Sequence, residues 1–106
     1  MIEILNKSNL QFSEVLQYIE DNYNYTASAF TNGNQENAQD QNQGSAKVFA
    51  FAQLNNLSQE DTLKLFAEHY KSVLETPEGT DHNNIRQFMQ NGWDGVKFEN
   101  TVLIKK

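Results

Sequence analysis

The sequence contains no cysteine, and this absence removes several kinds of site at once. Without thiols the chain forms neither disulfides nor thiolate metal sites, and it has no cysteine nucleophile. Only two histidines remain as strong nitrogen ligands. Neither an HExxH pattern nor a paired CxxC pattern is present. The sequence therefore predicts a protein that folds with no metal and no other cofactor.

Long apolar runs and clusters of basic residues are also missing. No stretch approaches the roughly 20 apolar residues that a membrane helix needs. The first residues lack the basic and then apolar order of a secretory signal peptide. Eight basic residues stand against 14 acidic ones, which gives a net charge of −6. Because nucleic-acid binders normally carry a clustered basic face, we expect neither a nucleic-acid nor a membrane partner.

Aromatic residues and neutral amides are what the chain has in quantity. Seven Phe, four Tyr and one Trp are enough for the core of one domain over residues 1–106, which we expect to be a monomer. Asn and Gln supply much of the polarity, and eight of the 12 residues from Asn32 to Gln43 are amides. This stretch is predicted to be a solvated loop; the alternative is a loop of amide donors and acceptors that faces a ligand.

Apolar residues at helical spacing predict the first two helices. One runs from Leu10 to Tyr23, with Ser13 as its N-cap. The second covers residues 46–55 and is capped by Ser45. The apolar residues of the second segment also alternate as in a strand, but its alanines favour a buried helix.

Two further helices are predicted in the second half of the chain. Ser58 caps the third helix, which carries one wide apolar stripe and ends at Pro77. Thr80 or Asp81 caps a short fourth helix, which Gly92 closes. One shared core is predicted to contain Phe51, Leu63, Phe66, Tyr70, Ile85 and Phe88.

Two regions have the composition of short strands. The Tyr25–Thr31 region is β-prone, and the tight-turn signal Asn32-Gly33 follows it. The tail Val96–Ile104 is predicted to be a hairpin. Four helices with these short strands predict an α+β domain.

The densest set of reactive side chains lies at the start of the predicted fourth helix. If Asp81 starts that helix, His82 and Arg86 lie one turn apart on its surface. His82 is then a candidate acid or base, with Asp81 beside it; the alternative is that Asp81 only caps the helix and His82 is structural. The other histidine, His69, lies on the rim of the third helix's stripe, where a structural role is more typical.

Both helix starts place polar side chains where loops meet, so we predict one polar pole there. Free backbone N–H groups at helix starts favour an anionic or amide-bearing ligand. Trp93, between Gly92 and Asp94-Gly95, either presents its indole to a partner or plugs the core. The candidate binding residues are Asn37, Asn42, Lys47, Asp81, His82, Arg86, Trp93 and Asp94.

Seven segments carry a resemblance to a known family: IEDNY (19–23), AFTNG (29–33), NQGSAK (42–47), FAFAQL (49–54), PEGTDH (77–82), NIRQFM (84–89) and GWDG (92–95). In this order, over nearly the whole chain, they resemble the HopJ family of type III effectors. The resemblance implies a bacterial cytoplasmic protein that a type III system could secrete. It implies no settled activity, so it transfers no catalytic residue. The position of Ala46 is often Cys in that family, so a thiol is not indispensable here.

Three functions remain open at this point. The first is a non-catalytic binding module for an unknown polar small molecule or protein segment, and this is the prediction. The second is a small hydrolytic enzyme that uses His82 as general acid or base. The third is a secreted effector that acts on a host partner.

Overall fold

A computed structural model describes residues 9–106, and it confirms the α+β class. The helices are α1 (Phe12–Asn22), α2 (Gln43–Leu54), α3 (Gln59–Lys64), α4 (Glu68–Glu75) and α5 (Asn83–Asn91). The strands are β1 (Tyr23–Tyr25), β2 (Phe30–Asn32), β3 (Gln35–Asn37), β4 (Val96–Phe98) and β5 (Leu103–Lys105). The first eight residues, where we expect no signal peptide, lie outside the described range. Among the described residues, no helix has the length and apolarity to cross a membrane.

The strands form two small antiparallel sheets, and the predicted C-terminal hairpin is wrong. β4 pairs with β2, with Lys97 opposite Thr31, and β5 pairs with β1, with Ile104 opposite Asn24. Each strand of the tail therefore pairs with a strand from the first third of the chain, and the two lie in different sheets.

The predicted third helix is two helices, α3 and α4, with a break at Ala67. Ala67 has φ 52° and ψ −121°, which no helix accommodates. The adjacent Leu65 and Phe66, just before the break, are both buried, whereas Leu74, an apolar residue near the end of α4, is 53% exposed. Core packing therefore overrides the helical periodicity.

One predicted cap is confirmed and three are wrong. The Ser58 hydroxyl accepts the Asp61 N–H at 3.1 Å, as predicted for the start of α3. Instead of Ser13, Ser45 and Thr80 or Asp81, the caps of the other three helices are Gln11, Asn42 and His82. Asn42 and His82 both have left-handed backbones, with φ of 51° and 52°. These left-handed residues turn the chain sharply into α2 and α5, a conformation that Asn and His adopt more readily than most residues.

The core is a cluster of aromatic rings around Phe49. Its ring centroid lies 4.9 Å from Phe88, 5.3 Å from Phe66, 6.2 Å from Trp93 and 6.3 Å from Phe30. The six residues predicted to share one core all belong to the hydrophobic core that includes these rings, with Tyr70 at its edge. That prediction is confirmed.

The amide-rich segment is more ordered than a solvated loop. The predicted turn is confirmed, because β2 and β3 form a hairpin around Gly33, which has φ 60°. A side chain at Gly33 would collide with Gln87 of α5. The solvated-loop prediction is wrong for Asn32 and Asn37, which are both buried. Their amides are needed inside the protein, where both bond to Asn84 of α5.

Candidate functional site

A cleft of about 440 Å³ opens where the starts of α2 and α5 meet. We call it the two-histidine cleft. The helix starts line it with Asn42, Gly44, Ser45, His82, Asn83, Asn84 and Ile85. Gln35 of β3 and three rings from α1 and the α3–α4 region complete the lining: Phe12, Phe66 and His69. The cleft therefore joins residues far apart in the sequence.

A continuous row of rings forms one wall of this cleft. The Phe12 ring is stacked on Phe66 at 5.9 Å, and the edge of His69 meets Phe12 at 4.8 Å. His69 in turn lies 5.0 Å from His82, with the two rings tilted by 38°. Both histidines are partly exposed. The wall thus combines two apolar rings with two imidazole rings, whose nitrogens can donate or accept hydrogen bonds.

A network of buried amides lies behind the cleft. Asn84 donates to Asn37 Oδ1 at 2.9 Å, and Asn37 Nδ2 donates back to Asn84 Oδ1 at 3.2 Å. Asn42 Nδ2 also donates to Asn37 Oδ1, at 2.7 Å. Asn32 Nδ2 donates to the Asn84 carbonyl oxygen at 2.7 Å, and within residues 9–106 its own Oδ1 has no partner. The network ties the β2–β3 hairpin to both helix starts, so it fixes the polar side chains of the cleft.

The electrostatics of the cleft come from backbone dipoles and from the two imidazoles. In α2 the helical hydrogen bonds begin with the Ala46 N–H, 3.1 Å from the Asn42 oxygen. In α5 they begin with the Ile85 N–H, 3.0 Å from the His82 oxygen. The N–H groups that precede these bonds carry the partial positive charge of a helix N-terminus. No Asp, Glu, Lys or Arg is among the described residues that line the cleft, so no formal charge offsets them.

Arg86 lies outside the cleft and fixes the loop between α4 and α5. Its Nη2 donates to Asp81 Oδ1 at 2.7 Å, and its Nε donates to the Asp81 carbonyl oxygen at 2.6 Å. Nη1 donates to the Thr76 carbonyl oxygen at 2.8 Å, and the side chain is only 10% exposed. The hydrogen bond from Arg86 lowers the pKa of Asp81, whose other oxygen lies 4.0 Å from His82 Nε2. Of these three predicted site residues, only His82 lines the cleft.

The other predicted residues divide between the cleft and the rest of the surface. Asn42 lines the cleft, and Asn37 lies directly behind it. Lys47 forms an ion pair with Glu20 at 3.3 Å. Trp93 packs on the core and donates its indole N–H to the Leu57 oxygen at 3.1 Å, and Asp94 is exposed in the 3₁₀ turn that follows α5. The structure brings together Asn42 and His82, and it places Lys47, Trp93 and Asp94 outside the lining.

Several lining residues were not predicted as site residues. Asn83 and Asn84 directly follow His82, and this proximity in sequence was a usable signal. Ser45 was explained as a helix cap, and His69 as a structural histidine. The position of His69 follows from the break at Ala67, which a periodic pattern does not reveal.

The two histidines do not complete a metal site with the side chains around them. Within residues 9–106, no three His, Asp or Glu side chains cluster as metal ligands. Protein zinc sites use three or four such ligands. The arrangement is therefore suited to hydrogen bonding and stacking rather than to metal coordination.

Comparison with known proteins identifies the relatives of this fold. Residues 1–103 match the family model described as HopJ type III effector protein. Among solved structures, the chain is similar to the crystal structure of a protein of unknown function, VPA0580, with a TM-score of 0.92 and 46% identity. That similarity covers 98% of this chain and 89% of the other. Among curated proteins there is no match. Similarity gives the fold and the relatives, and the geometry of the cleft is what bears on function.

Proposed function

Because this chain belongs to the HopJ family and two of its helices begin at one cleft, we propose that it is a binding module that holds a polar ligand in the two-histidine cleft without turnover. The observation that carries this proposal is the convergence of Asn42, Gly44 and Ser45 from α2 with His82, Asn83 and Asn84 from α5. Backbone donors and side-chain amides there offer several hydrogen bonds to one molecule. Small-molecule sites commonly have volumes of roughly 300–1,000 Å³, and this cleft falls within that range.

The most direct test combines a ligand screen with a variant that fills the cleft. We would record two-dimensional ¹H–¹⁵N NMR spectra of the protein with mixtures of polar metabolites and short peptides. Binding in the cleft should shift the amide signals of Gly44, Ser45 and Asn83. Ser45→Tyr should abolish those shifts, because it places a bulky side chain in the lining. Thr101→Tyr is the matched control, since it adds the same side chain to the exposed segment between β4 and β5.

If no compound shifts these signals in the unmodified protein, or if Ser45→Tyr binds as well as Thr101→Tyr does, the proposal is wrong. Thermal unfolding of both variants shows that each is folded before binding is compared. Mass spectrometry of material that co-purifies with the protein identifies ligands missing from the mixtures.

A hydrolytic role for His82 has weaker support. Ser45 and His82 line the same cleft, but among the described residues no hydrogen bond joins them. The Asp81 carboxylate is 4.0 Å from His82 Nε2, beyond hydrogen-bond distance, and Arg86 already binds it. A nucleophile needs a base within hydrogen-bond reach, and that base needs an orienting partner. Ester hydrolysis above background that disappears in both Ser45→Ala and His82→Asn would favour the enzyme over the binding module.

The family description supports a second proposal, that the protein is a type III substrate. A fusion of the full chain to a translocation reporter, expressed in a bacterium with a type III system, tests it. Signal in host cells is expected only when the secretion apparatus is intact. Equal signal from a strain without the apparatus, or no signal from either strain, would contradict export by this route.

A further inference from the structure

We infer that the ligand of the two-histidine cleft is a small oxyanion, a carboxylate or a phosphate group, and that protonation of His69 and His82 controls its affinity. This inference rests on the proposed function, because it assumes that the cleft binds a ligand. It adds the chemical class of that ligand and the pH range in which the protein holds it.

The histidine pair is the observation that carries the inference. The two rings lie 5.0 Å apart on one wall, and they are the only titratable side chains among the described residues that line the cleft. The Asp81 oxygen lies 4.0 Å from His82 Nε2, beyond hydrogen-bond distance, and within residues 9–106 neither ring has a hydrogen-bond partner. Two adjacent imidazolium rings repel each other, and an anion that lies beside both rings offsets that repulsion.

The charged groups around the histidine pair already have partners in the protein. The anion that would offset the repulsion between the two rings must therefore come from a ligand. Asp81 faces His82 from the α4–α5 loop, but Arg86 occupies its other oxygen. Glu68 precedes His69 in α4, and its carboxylate accepts the Phe12 N–H at 2.6 Å. From α2, the side that faces the cleft contributes only Asn42, Gly44 and Ser45, while Lys47 pairs with Glu20. Both nearby carboxylates are therefore engaged, and neither lines the cleft.

The remaining features select an anion over the competing ligand classes. Two helix N-termini direct partial positive charge into the cleft, which disfavours a metal ion or an organic cation. A neutral amide would satisfy the hydrogen bonds, but it would gain nothing from the histidines. The chain has a net charge of −6, so anions have no general attraction to it and must be held locally.

The experiment measures binding of three probes at two pH values. Inorganic phosphate, acetate and acetamide are titrated at about pH 5.5 and about pH 8, on either side of the ordinary histidine range. Shifts of the Gly44, Ser45 and Asn83 amide signals report on the cleft. We expect phosphate or acetate to bind on the order of tenfold more tightly at the lower pH, because a charged donor strengthens each hydrogen bond. Phosphate binding without acetate binding, or the reverse, identifies which oxyanion the cleft prefers.

Two variants separate the histidines from the rest of the site. His82→Asn keeps a residue that tolerates the left-handed backbone, and His69→Gln keeps a hydrogen-bonding side chain; neither substitute becomes cationic. Each should remove most of the pH dependence. Lys97→Gln is the matched control, because it removes one positive charge from β4, outside the cleft. Lys97→Gln should retain the full pH dependence.

The outcomes distinguish this inference from the proposed function. If acetamide binds in the cleft as tightly as the anions, or if anion binding is the same at both pH values, the inference is wrong and the binding module stands. The inference also fails if both histidine variants keep the pH dependence. If none of these probes binds and the broader ligand screen also finds nothing, both proposals fail.

Discussion

Helix α5 contacts two regions of the protein that are built from different chemistry. On one side, Phe88 packs against Phe49 and Trp93, each with ring centroids 4.9 Å away. On the other side, Asn84 bonds to Asn37 and Asn32 of the β2–β3 hairpin. Both regions are buried, but only the second depends on the direction of each contact.

The aromatic rings fill the interior of the protein, whereas the amide network determines the shape of the candidate site. Aromatic packing depends on volume, and cores accept volume-conserving changes at modest cost. Amide hydrogen bonds depend on angle and on the identity of donor and acceptor, and a buried group left without its partner is costly. The two-histidine cleft lies against the second region, where Asn42 and Asn84 belong to both the network and the lining. We therefore expect the site to be more sensitive to chemistry than to volume.

The largest expected loss of stability comes from removing the Phe49 ring at the centre of the core. Phe49→Ala should lower the free energy of unfolding by about 3–5 kcal/mol, because it leaves a cavity among four other rings. Phe49→Leu should cost clearly less, since it retains much of the volume. Urea unfolding measures both variants. A cost below about 1 kcal/mol for Phe49→Ala would place the centre of the core elsewhere.

A smaller but more directional effect is expected in the amide network. Asn84→Ala should cost about 1–3 kcal/mol, because it removes the donor to Asn37 and the acceptor for Asn37 Nδ2. Asn84→Asp has nearly the same volume, yet it should cost at least as much, since it places an acceptor against Asn37 Oδ1. If Asn84→Asp unfolds at the same urea concentration as the unmodified protein, the contrast between the two regions does not hold. NMR shifts of the Asn42 and Asn83 amides would show whether the cleft is disturbed.

A substitution at Ala67 tests whether the backbone break between α3 and α4 is strained. The φ of 52° at Ala67 lies in a region where a Cβ is unfavourable. Ala67→Gly should therefore stabilise the protein by about 1 kcal/mol, although glycine normally weakens a helix. Ala67 precedes α4 and is outside the helix interior. Destabilisation in a thermal or urea unfolding experiment would contradict the positive φ.

The smallest expected effect on stability concerns the ion pair between Arg86 and Asp81, because Asp81, unlike the buried amides, is exposed. Arg86 lowers the pKa of Asp81 in the folded protein, so Asp81 stabilises the fold at pH values above the pKa it has when unfolded. That contribution is lost as the pH falls through the lower pKa of the folded state. Asp81→Asn should therefore be slightly less stable at neutral pH and indistinguishable from the unmodified protein in strong acid. Unfolding curves of both proteins from neutral pH to strong acid measure this stability difference. A difference that grows as the pH falls would contradict the prediction.

The parts of the fold that the sequence predicts are those governed by local pattern. Apolar spacing identified α1, α2, α5 and the core around Phe66 and Phe88, and the Ser58 signature identified the start of α3. The pairing of β4 with β2 was not predictable in the same way, because adjacent strands in the sequence suggest a hairpin. The observed partners of β4 and β5 lie far away in the sequence, and no short segment encodes such contacts.

The site was predicted in outline but not in composition. His82 and Asn42 were identified because polar residues gather where helices begin. Arg86 was wrongly predicted to line the cleft. It lies one helical turn after His82, and that spacing normally places two residues on the same face of a helix. The left-handed backbone of His82 turns the chain at that point, and the Arg86 side chain bonds the α4–α5 loop instead. Non-local packing sets that turn, and no short segment encodes it.

The pairing of β1 with β5 has a consequence for how the chain acquires its structure. Tyr23 lies opposite Lys105, so the contact closes a loop of roughly eighty residues. Contacts of such long separation slow folding, because the entropy of closing the loop is lost before the contact forms. During synthesis, β1 leaves the ribosome early and must wait for β5 before its backbone groups are paired. The folding of this sheet is therefore completed only after translation has passed β5.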